Sequence, residues 1–469
     1  MMSGRKRLAL SCCIAAGLSG CGTVHAVKKL VVGGDDTGPK VLAGFIGGVV
    51  ADEPRAALAA RQVLATGGNA ADAAVALGLM LSVTLPSRAG LGGGGACVAY
   101  APGDVPNKGV PEAVIFPPVA PATGGGDRPA AVPMMARGYY LLSKRYGTRN
   151  FAGLLAPAEN AAQLGIPISR ALAHDLADVA GPLTADPGAA AVFAPGGAVL
   201  TEGSTLRQPT LAATLEQLAT LGVGDFYQGV LGHKLATAAA AAGGPLTIND
   251  LRQSLATLVP PIDTQAGRDT VSFLPLPADG GLAATAAYRV LQADPNATQQ
   301  AEQAADGAAA RFRASHGDVS VESLLTGGGA PQLPALPAST SFVVVDRLGD
   351  AVACAVTMDN LFGTGRFAPD TGILLAASPA WKPSPMLAAG IAWSPGARTF
   401  RAAVGASGQN AAGFAAGYAM AEALSGATTP VPDPGRANVA ACPSGLPGGG
   451  ASCRFTVDPR VAGLAAGSD

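Results

Sequence analysis

The first regular pattern in the chain is a pair of helices. Apolar residues between Ala56 and Leu64 recur at i, i+3, i+4, i+7 and i+8, which predicts an amphipathic helix that ends at Gly67-Gly68. Asn69 can cap a second helix, with Asp72 at the third helical position of a capping box. That helix, from Ala70 to about Val83, is apolar nearly all round, so we expect it to be buried.

The middle of the chain is predicted to be mostly helical, and the pattern becomes β-like after residue 338. Residues 134–255 contain helical segments such as Leu211–Leu221 and Leu235–Ala242, whereas residues 122–132 and 325–338 are loop-like. Phe342–Asp346 and Ala351–Thr357 are strand-like and are joined by a short turn that contains glycine. This pattern predicts a β-hairpin.

The hairpin brings hydroxyl groups together at its open end. A four-residue loop pairs Thr340 with Thr357, whereas a shift of one residue through a bulge pairs Ser339 with Thr357. An enzyme that cuts its own chain before a Ser or Thr needs this arrangement. The freed α-amine, with a pKa of about 8, then acts as the base for the hydroxyl of the same residue. The alternative is a hydroxyl-rich strand entry without chemistry.

A run of glycines, Gly90 to Gly95, precedes the strand-like segment Ala96–Tyr100. Such a run permits close approach of the backbone to a ligand or to another strand. It lacks the lysine of a phosphate-binding P-loop, so it does not favour nucleotide binding.

Composition narrows the class of protein. Apolar residues make up 49% of the 469 residues and charged residues 13%, which excludes a charge-rich disordered chain. The 64 glycines have no three-residue period, which excludes collagen. Lys and Arg number 31 against 32 Asp and Glu, so no basic surplus indicates a nucleic-acid partner. We predict one long globular domain.

The N-terminus is predicted to be an export signal. Arg5, Lys6 and Arg7 precede a short apolar run that is too short to span a bilayer. Leu18-Ser19-Gly20-Cys21 resembles a bacterial lipobox. We therefore expect a signal peptide at 1–20, lipidation of Cys21, a tether at 21–47, and a bacterial periplasmic or envelope location. An ordinary secretory signal is the alternative. Gly22 follows Cys21 in place of the aspartate that usually retains a lipoprotein in the inner membrane, which favours anchoring in the outer membrane.

Cysteines and histidines give few further clues. Cys442 and Cys453 flank a Gly/Pro/Ser loop, so we predict a disulfide between them, with two free thiols as the alternative. Cys97 and Cys354 lie in apolar runs and are expected to pack as small hydrophobic residues. The four histidines lack the spacing of metal ligands, so we expect no metal and no cofactor.

Several ordered motifs resemble the γ-glutamyltransferases (γ-glutamyltranspeptidases), which are N-terminal nucleophile hydrolases. They are Gly67–Val75, Gly90–Gly95, Phe362–Gly365, Thr371–Leu375, Asp458–Arg460 and Gly463–Ala465. The resemblance implies an α+β fold, a four-layer αββα sandwich. It also implies self-cleavage into a large portion, 48–338, and a small portion, 339–469. The implied reaction is transfer or hydrolysis of a γ-glutamyl group, usually from glutathione.

The resemblance also assigns roles to single residues. Ser339 stands where the family has its threonine nucleophile, so the implied cut is Ala338–Ser339. Thr340, the following residue, is the alternative nucleophile. Thr357 matches the threonine that hydrogen-bonds the nucleophile. Gly408 and Gln409 match the segment whose N–H groups hold the oxyanion, although Gln409 replaces a glycine that can adopt positive φ.

The implied substrate contacts are less complete. Asp359 replaces an asparagine that helps to hold the substrate, and Gly93 and Gly94 lie in the family's glycine segment. The arginine that clamps the substrate carboxylate is replaced by Pro117, and two serines by Ala388-Ala389. The acidic residue expected after Leu375 is also missing.

Two functional interpretations follow from these matches and departures. In the first, the chain is a self-cleaving amide hydrolase or acyl transferase that acts on a small amide or peptide, either γ-glutamyl or a less polar acyl amide. In the second, it is a non-catalytic envelope lipoprotein that keeps the fold for binding or scaffolding. Both have the membrane as partner through the lipid anchor, and neither has a nucleic acid.

Overall fold

The structure, a computed structural model, describes residues 44–103, 109–122, 124–315, 319–329, 332–427 and 429–467. The predicted signal peptide, the lipobox with Cys21 and nearly all of the tether lie outside these residues. In the part of the chain that the structure describes, no helix is both long enough and apolar enough to cross a membrane.

Two large antiparallel sheets form the centre of the fold. The strands of the seven-stranded sheet have the order β17-β1-β9-β10-β2-β3-β6, and those of the six-stranded sheet the order β16-β15-β14-β13-β8-β7. The strands are β1 (Gly47–Ala51), β2 (Gly94–Tyr100), β3 (Glu112–Phe116), β4 (Ile166–Pro167), β5 (Thr205–Leu206), β6 (Thr257–Val259), β7 (Ile262–Ala266), β8 (Asp269–Phe273), β9 (Thr340–Asp346), β10 (Ala351–Thr357), β11 (Phe367–Ala368), β12 (Ile373–Leu374), β13 (Ala388–Ser394), β14 (Thr399–Ser407), β15 (Arg436–Leu446), β16 (Arg454–Thr456) and β17 (Leu464–Gly467).

Helices cover the outer faces of both sheets. They are α1 (Pro54–Ala65), α2 (Ala70–Thr84), α3 (Met135–Tyr146), α4 (Phe151–Leu164), α5 (Arg170–Thr184), α6 (Pro187–Phe193), α7 (Pro209–Leu221), α8 (Val223–Gln228), α9 (Val230–Ala241), α10 (Ile248–Gln253), α11 (Asp279–Ala293), α12 (Thr298–Ala314), α13 (Val321–Thr326) and α14 (Ala412–Ser425). Helices α1 to α10 share one apolar core with the seven-stranded sheet, and α11, α12 and α14 share another with the six-stranded sheet.

A third core lies between the two sheets and completes the four layers. Along β9, Phe342 and Val344 point to the helices, whereas Val343 and Val345 point to the other sheet. This alternation is the two-residue period of a strand that is buried on both faces. The predicted αββα sandwich is confirmed.

The first two helices form as the pattern predicts. The Asn69 side chain accepts a hydrogen bond from the Asp72 N–H at 3.0 Å, and the Asp72 carboxylate accepts one from the Asn69 N–H at 3.1 Å. Helix α2 is buried on all sides. Small alanine side chains let this helix pack closely between its neighbours.

The hairpin has the shifted register. Thr340 lies opposite Val356, so the pairing of Thr340 with Thr357 is wrong and the one-residue shift is correct. The Asp346 N–H donates to the Asp350 carbonyl at 2.9 Å, and Gly349 has a φ of 86°. The loop therefore has three residues and ends in a left-handed glycine, a common hairpin connection that displaces the strands by one residue.

Both pairs of described cysteines form disulfides. The predicted Cys442–Cys453 bond is present. The expectation that Cys97 and Cys354 pack as unpaired residues is wrong, because they form a disulfide across neighbouring strands. They lie directly opposite each other on β2 and β10, with Cα atoms 4.1 Å apart. Their separation of 257 positions along the chain concealed this contact from sequence reasoning.

Candidate active site

Ser339 and Thr357 both lie at the open end of the hairpin, but the expected hydrogen bond between their hydroxyls is not present. Ser339 immediately precedes β9, and Thr357 ends β10. The Thr357 hydroxyl donates to the Ala338 carbonyl oxygen at 3.0 Å and accepts the Asp359 N–H at 2.9 Å. The Asp359 N–H thus fixes the direction in which the hydroxyl proton points. Thr357 therefore polarises the carbonyl group of the Ala338–Ser339 bond, which is the predicted cleavage site.

Ser339 and Thr340 differ in whether their hydroxyls are free. The Thr340 hydroxyl is fully buried and donates to the Asp52 carboxylate at 2.7 Å. Ser339 is 2% exposed, and its Oγ has no hydrogen-bond partner among the residues that the structure describes. A buried hydroxyl without a partner is uncommon and calls for a reason. Only the Ser339 hydroxyl of this pair is available to react.

Asp52 ties the nucleophile segment to both sheets. Its carboxylate accepts the Ser341 N–H at 3.4 Å and the Asn438 side-chain amide at 2.8 Å. The same amide nitrogen donates to the Ser341 carbonyl at 2.9 Å. The ends of β1, β9 and β15 therefore meet at one buried polar cluster. Sequence reasoning missed Asp52 and Asn438, although an aspartate directly after an apolar strand was a possible signal.

The predicted oxyanion segment lies at the end of β14. Gly408 has a φ of 120° and Gln409 a φ of 56°. Gln409 therefore adopts the left-handed conformation that the family resemblance requires, despite its side chain. Among the described residues, no acceptor receives a hydrogen bond from either N–H. Both residues line the same cavity as Ser339.

The segment before the predicted cleavage site at Ala338–Ser339 is held in place rather than freely exposed. Leu336 is buried, and its N–H donates to Asn410 Oδ1 at 2.9 Å. The Asn410 side-chain amide donates to the Pro334 carbonyl, also at 2.9 Å. Because Asn410 follows Gln409, the oxyanion segment and the uncut linker are fixed to each other.

Ser339 opens onto a charged cavity of about 480 Å³. Its ionisable lining residues come from several elements and are Asp52, Arg88, Arg170, His174, Asp175, Asp178, Arg436 and Arg460. A larger cavity of about 880 Å³, which includes Arg207 and Arg366, does not reach Ser339. In the described ranges, no group of three or more His, Cys, Asp or Glu side chains is placed to hold a metal ion.

The cavity is charged, although the residues aligned with the family's substrate contacts are apolar. Ala388 and Ala389 belong to the cores of the sandwich, and neither they nor Pro117 and Leu375 line the cavity. The polar groups come instead from the turn after α2, which carries Arg88, and from other segments. On α5, Arg170, His174 and Asp178 are four residues apart, so they share one helix face. That spacing was a signal in the sequence.

Most of the cavity arginines already have carboxylate partners. Arg88 forms a bidentate pair with Asp175, at 2.8 and 2.6 Å. Burial lowers the pKa of the Arg88 guanidinium, but its bonds to Asp175, together with the nearby carboxylates of Asp52 and Asp178, outweigh burial and raise that pKa. Arg436 pairs with Asp433 at 2.9 Å, and Arg460 pairs with the buried Asp458 at 2.6 Å.

Arg170 differs from these three arginines. It is exposed, and it makes one hydrogen bond, to the Val461 carbonyl at 3.3 Å. No ion pair of Arg170 occurs among the described residues. Its guanidinium is therefore free to bind an anion in the cavity.

The other predicted contact residues lie behind the cavity. Asp359 is fully buried, its two carboxyl oxygens have no partner, and burial raises its pKa well above the usual value. Gly93 and Gly94 pack against backbone: an added Cβ would meet the Thr357 carbonyl at one and the Phe116 carbonyl at the other. These glycines therefore permit close approach of strands, and none of the three residues lines the cavity. Their role as substrate contacts stays a prediction.

Comparisons with known proteins agree with this arrangement. A sequence model described as Gamma-glutamyltranspeptidase matches residues 56–316. The "Glutathione hydrolase proenzyme" of Bacillus subtilis (strain 168) is 28% identical over 417 residues, and the match covers 75% of this chain and 71% of the relative. The "Acylase ACY 1 proenzyme" of Pseudomonas sp. (strain SE83) is 32% identical over 274 residues, and the match covers 54% of this chain and 49% of the relative.

Solved structures share the fold. The cephalosporin acylase from Bacillus halodurans superposes with a TM-score of 0.74 at 21% identity, over 91% of this chain and 96% of that one. At that identity the likeness concerns the fold alone. The chain spans about two fifths to a half of the length of several curated relatives that it matches.

Proposed function

Because the chain belongs to the γ-glutamyltranspeptidase family, we propose that it is a self-cleaving amide hydrolase and acyl transferase whose nucleophile is Ser339. One observation carries the proposal. The Ser339 hydroxyl is buried without a partner, while the adjacent Ala338 carbonyl accepts the Thr357 hydroxyl. A free nucleophile thus lies beside a polarised carbonyl group at the mouth of a charged cavity.

Self-cleavage follows from this geometry. Ser339 Oγ attacks the Ala338 carbonyl carbon, and the Thr357 hydroxyl donates to the oxygen as it gains negative charge. The C–N bond breaks, the Ser339 nitrogen takes up the proton that Oγ loses, and an ester joins Ala338 to Ser339 Oγ. Water then hydrolyses the ester. The products are a carboxylate at Ala338 and a free α-amine at Ser339.

The cleaved protein can repeat the chemistry on a substrate amide. The α-amine of Ser339 accepts the proton of its own hydroxyl, and Oγ attacks the acyl carbon. The N–H groups of Gly408 and Gln409 have no other acceptor in the described part of the chain and can hold the oxyanion. The leaving amine takes the proton, and water or a second amine then removes the acyl group.

The cavity favours a polar acyl group over an apolar one. Two of the relatives described above are named as a glutathione hydrolase and an acylase. Arg170 offers a guanidinium without an ion pair, which suits a carboxylate on the acyl group. We therefore propose an acyl donor that carries a carboxylate, with γ-glutamyl amides such as glutathione as the first compounds to test.

Self-cleavage is tested with the purified chain on a reducing denaturing gel. The wild type should give two bands, and sequencing of the smaller fragment should begin at Ser339. Ser339→Ala should leave one band, and Thr340→Val, which removes only the bonded hydroxyl, should still be cut. Cleavage of Ser339→Ala but not of Thr340→Val would move the nucleophile by one residue. A wild type that stays uncut on long incubation would support the non-catalytic alternative.

The substrate class is tested separately, on cleaved protein. Release of amine is measured from glutathione, from a glutaryl amide and from a butyryl amide, which lacks the carboxylate. Higher kcat/KM for the two anionic compounds would support the proposal. A clear preference for the butyryl amide would contradict it without affecting the self-cleavage result.

We also propose that the protein is exported and lipidated at Cys21. Two disulfides among the described residues support an oxidising compartment. Cells grown with a labelled fatty acid should incorporate label into the wild type but not into Cys21→Ala. Unlabelled wild-type protein free in the periplasm would instead support an ordinary secretory signal.

A further inference from the structure

Asp52 differs from the other carboxylates of the cavity. Asp175 is paired with Arg88 at 2.6 Å, and Asp178 lies 3.3 Å from His174. Asp52 is 3% exposed and is held by neutral donors: a hydroxyl, a side-chain amide and a backbone N–H. No ion pair of Asp52 occurs among the described residues. A buried carboxylate is stabilised much better when a cation lies beside it.

Self-cleavage would create such a cation nearby. Asp52 contacts the Thr340 hydroxyl at 2.7 Å, and Thr340 directly follows Ser339. Consecutive Cα atoms are about 3.8 Å apart, so the new α-amine appears one residue from a side chain that touches Asp52. The uncut chain has only an amide at this position. Asp52 interacts electrostatically with Arg88 but forms no ion pair with it among the described residues. Cleavage would therefore add a cation on the segment that Asp52 holds.

We infer that Asp52 is a positioning residue for the nucleophile and the counter-ion of the α-ammonium group that cleavage exposes at Ser339. The inference rests on the proposed self-cleavage. Through Thr340 and Ser341, Asp52 fixes the backbone that carries Ser339. Through its charge, Asp52 stabilises the protonated amine and so sets the pH above which the amine is a free base.

Other charged groups act on the same amine. The cationic side chains of the cavity are those of Arg88, Arg170, Arg436 and Arg460, and they lower the pKa of the amine. Asp175 and Asp178 act in the opposite direction but already face Arg88 and His174, and His174 is exposed. Asp359, whose N–H donates to Thr357, is fully buried, and burial raises the pKa of its carboxyl group, which favours the uncharged form. Asp52 is therefore the carboxylate that opposes the arginines at the nucleophile segment.

The test is Asp52→Asn, which keeps the shape and removes the charge. Ser339 reactivity is measured against pH with phenylmethanesulfonyl fluoride: the sulfonyl sulfur bonds to Ser339 Oγ, fluoride leaves, and the amine takes the hydroxyl proton. Mass spectrometry of the labelled fragment gives the rate. Without the carboxylate the amine loses its proton more easily. The alkaline rise in labelling should therefore move to lower pH by about one unit, and self-cleavage should be slower.

Two further variants separate charge from structure. Asp72→Asn removes another fully buried, hydrogen-bonded carboxylate, outside the cavity, and should lower the melting temperature without moving the pH profile. Thr340→Val breaks the hydrogen bond to Asp52 but keeps the charge, so it should slow cleavage and leave the profile in place. If Asp52→Asn does not fold, Asp52→Ser should show the shift and Asp52→Glu should not.

The outcomes distinguish this inference from the proposed function. A wild type that is never cleaved overturns both. A cleaved wild type with an unchanged pH profile in the neutral Asp52 variants overturns the role of Asp52 alone. An equal shift in Asp72→Asn would show that the profile reports on stability rather than on Asp52, and would overturn the inference as well.

Discussion

Thr357 offers the sharpest test of the proposed self-cleavage. Thr357→Val keeps the size and branching of the side chain and removes only the hydroxyl. In the uncut chain that hydroxyl lies 3.0 Å from the Ala338 carbonyl oxygen, which becomes the oxyanion during cleavage. Loss of one oxyanion donor typically slows a reaction about 100- to 1000-fold, or about 2.7 to 4 kcal/mol. We expect cleavage of Thr357→Val to slow by that factor.

The stability of the variant must be measured as well as its cleavage rate, because the Thr357 hydroxyl oxygen also accepts the Asp359 N–H at 2.9 Å. A buried N–H left without an acceptor costs about 1 to 3 kcal/mol. Thr214→Val is a matched control: its hydroxyl is buried and donates to the Thr371 carbonyl at 2.6 Å, and neither residue lines the Ser339 cavity. Thr214→Val should lower the melting temperature and leave the cleavage rate unchanged.

The assay follows appearance of the smaller fragment over time, starting from chain isolated uncut after a brief induction. Thr357→Ser retains a hydroxyl on the same Cβ, so it should recover most of the rate. Cleavage of Thr357→Val at the wild-type rate would refute the argument, since the hydroxyl would then contribute nothing. Equal slowing of Thr214→Val would assign the effect to destabilisation.

Three further substitutions test other parts of the site. Burial raises the pKa of Asp359, so the folded chain holds this proton to a higher pH than the unfolded chain, which loses it above about pH 4. The free energy of unfolding therefore falls as pH rises from about 4 through the raised pKa of the folded state. Asp359→Asn should remove this fall, so its melting temperature should exceed that of the wild type more at pH 8 than at pH 5. Asn410→Ala frees the linker at Leu336, so it should slow self-cleavage about tenfold or more, because a misplaced reacting bond is costly; a reducing gel gives the rate. Arg170→Ala should raise KM for carboxylate-bearing amides about tenfold or more and leave KM for a neutral amide unchanged, which initial rates on cleaved protein will show.

Each of these three has an outcome that contradicts it. A constant difference in melting temperature between pH 5 and pH 8 would mean that Asp359 does not titrate differently in the two states. Wild-type cleavage in Asn410→Ala would show that the linker needs no clamp. Equal changes in KM for anionic and neutral amides would place Arg170 outside the acyl site.

Local features of the fold were predictable because they depend on neighbours in sequence. The capping box at Asn69 and Asp72 follows from a three-residue spacing, and the burial of α2 follows from its lack of a polar face. The position of Ser339 before the hairpin followed from motif matching. The register of the hairpin depends on the geometry of the turn at Gly349, and the sequence alone allowed two registers.

Features that depend on distant contacts were not predictable. The Cys97–Cys354 bond needs β2 and β10 to be neighbours, and the cluster at Asp52 needs two sheets to meet. The motif alignment compared only the positions at which the family contacts its substrate, and several of these are apolar in this chain. The charges of this cavity come from elsewhere, as Arg88 and Arg170 show.

The disulfide between β2 and β10 crosses the proposed cleavage site in sequence. Cys97 belongs to the portion before Ser339, whereas Cys354 belongs to the portion that begins there. Cys442 and Cys453 both lie in the second portion. After cleavage the protein would have two N-termini but one covalent framework, so its fragments would separate on a denaturing gel only after reduction. Its unfolding would stay unimolecular, and the melting temperature of the cut protein would not depend on its concentration.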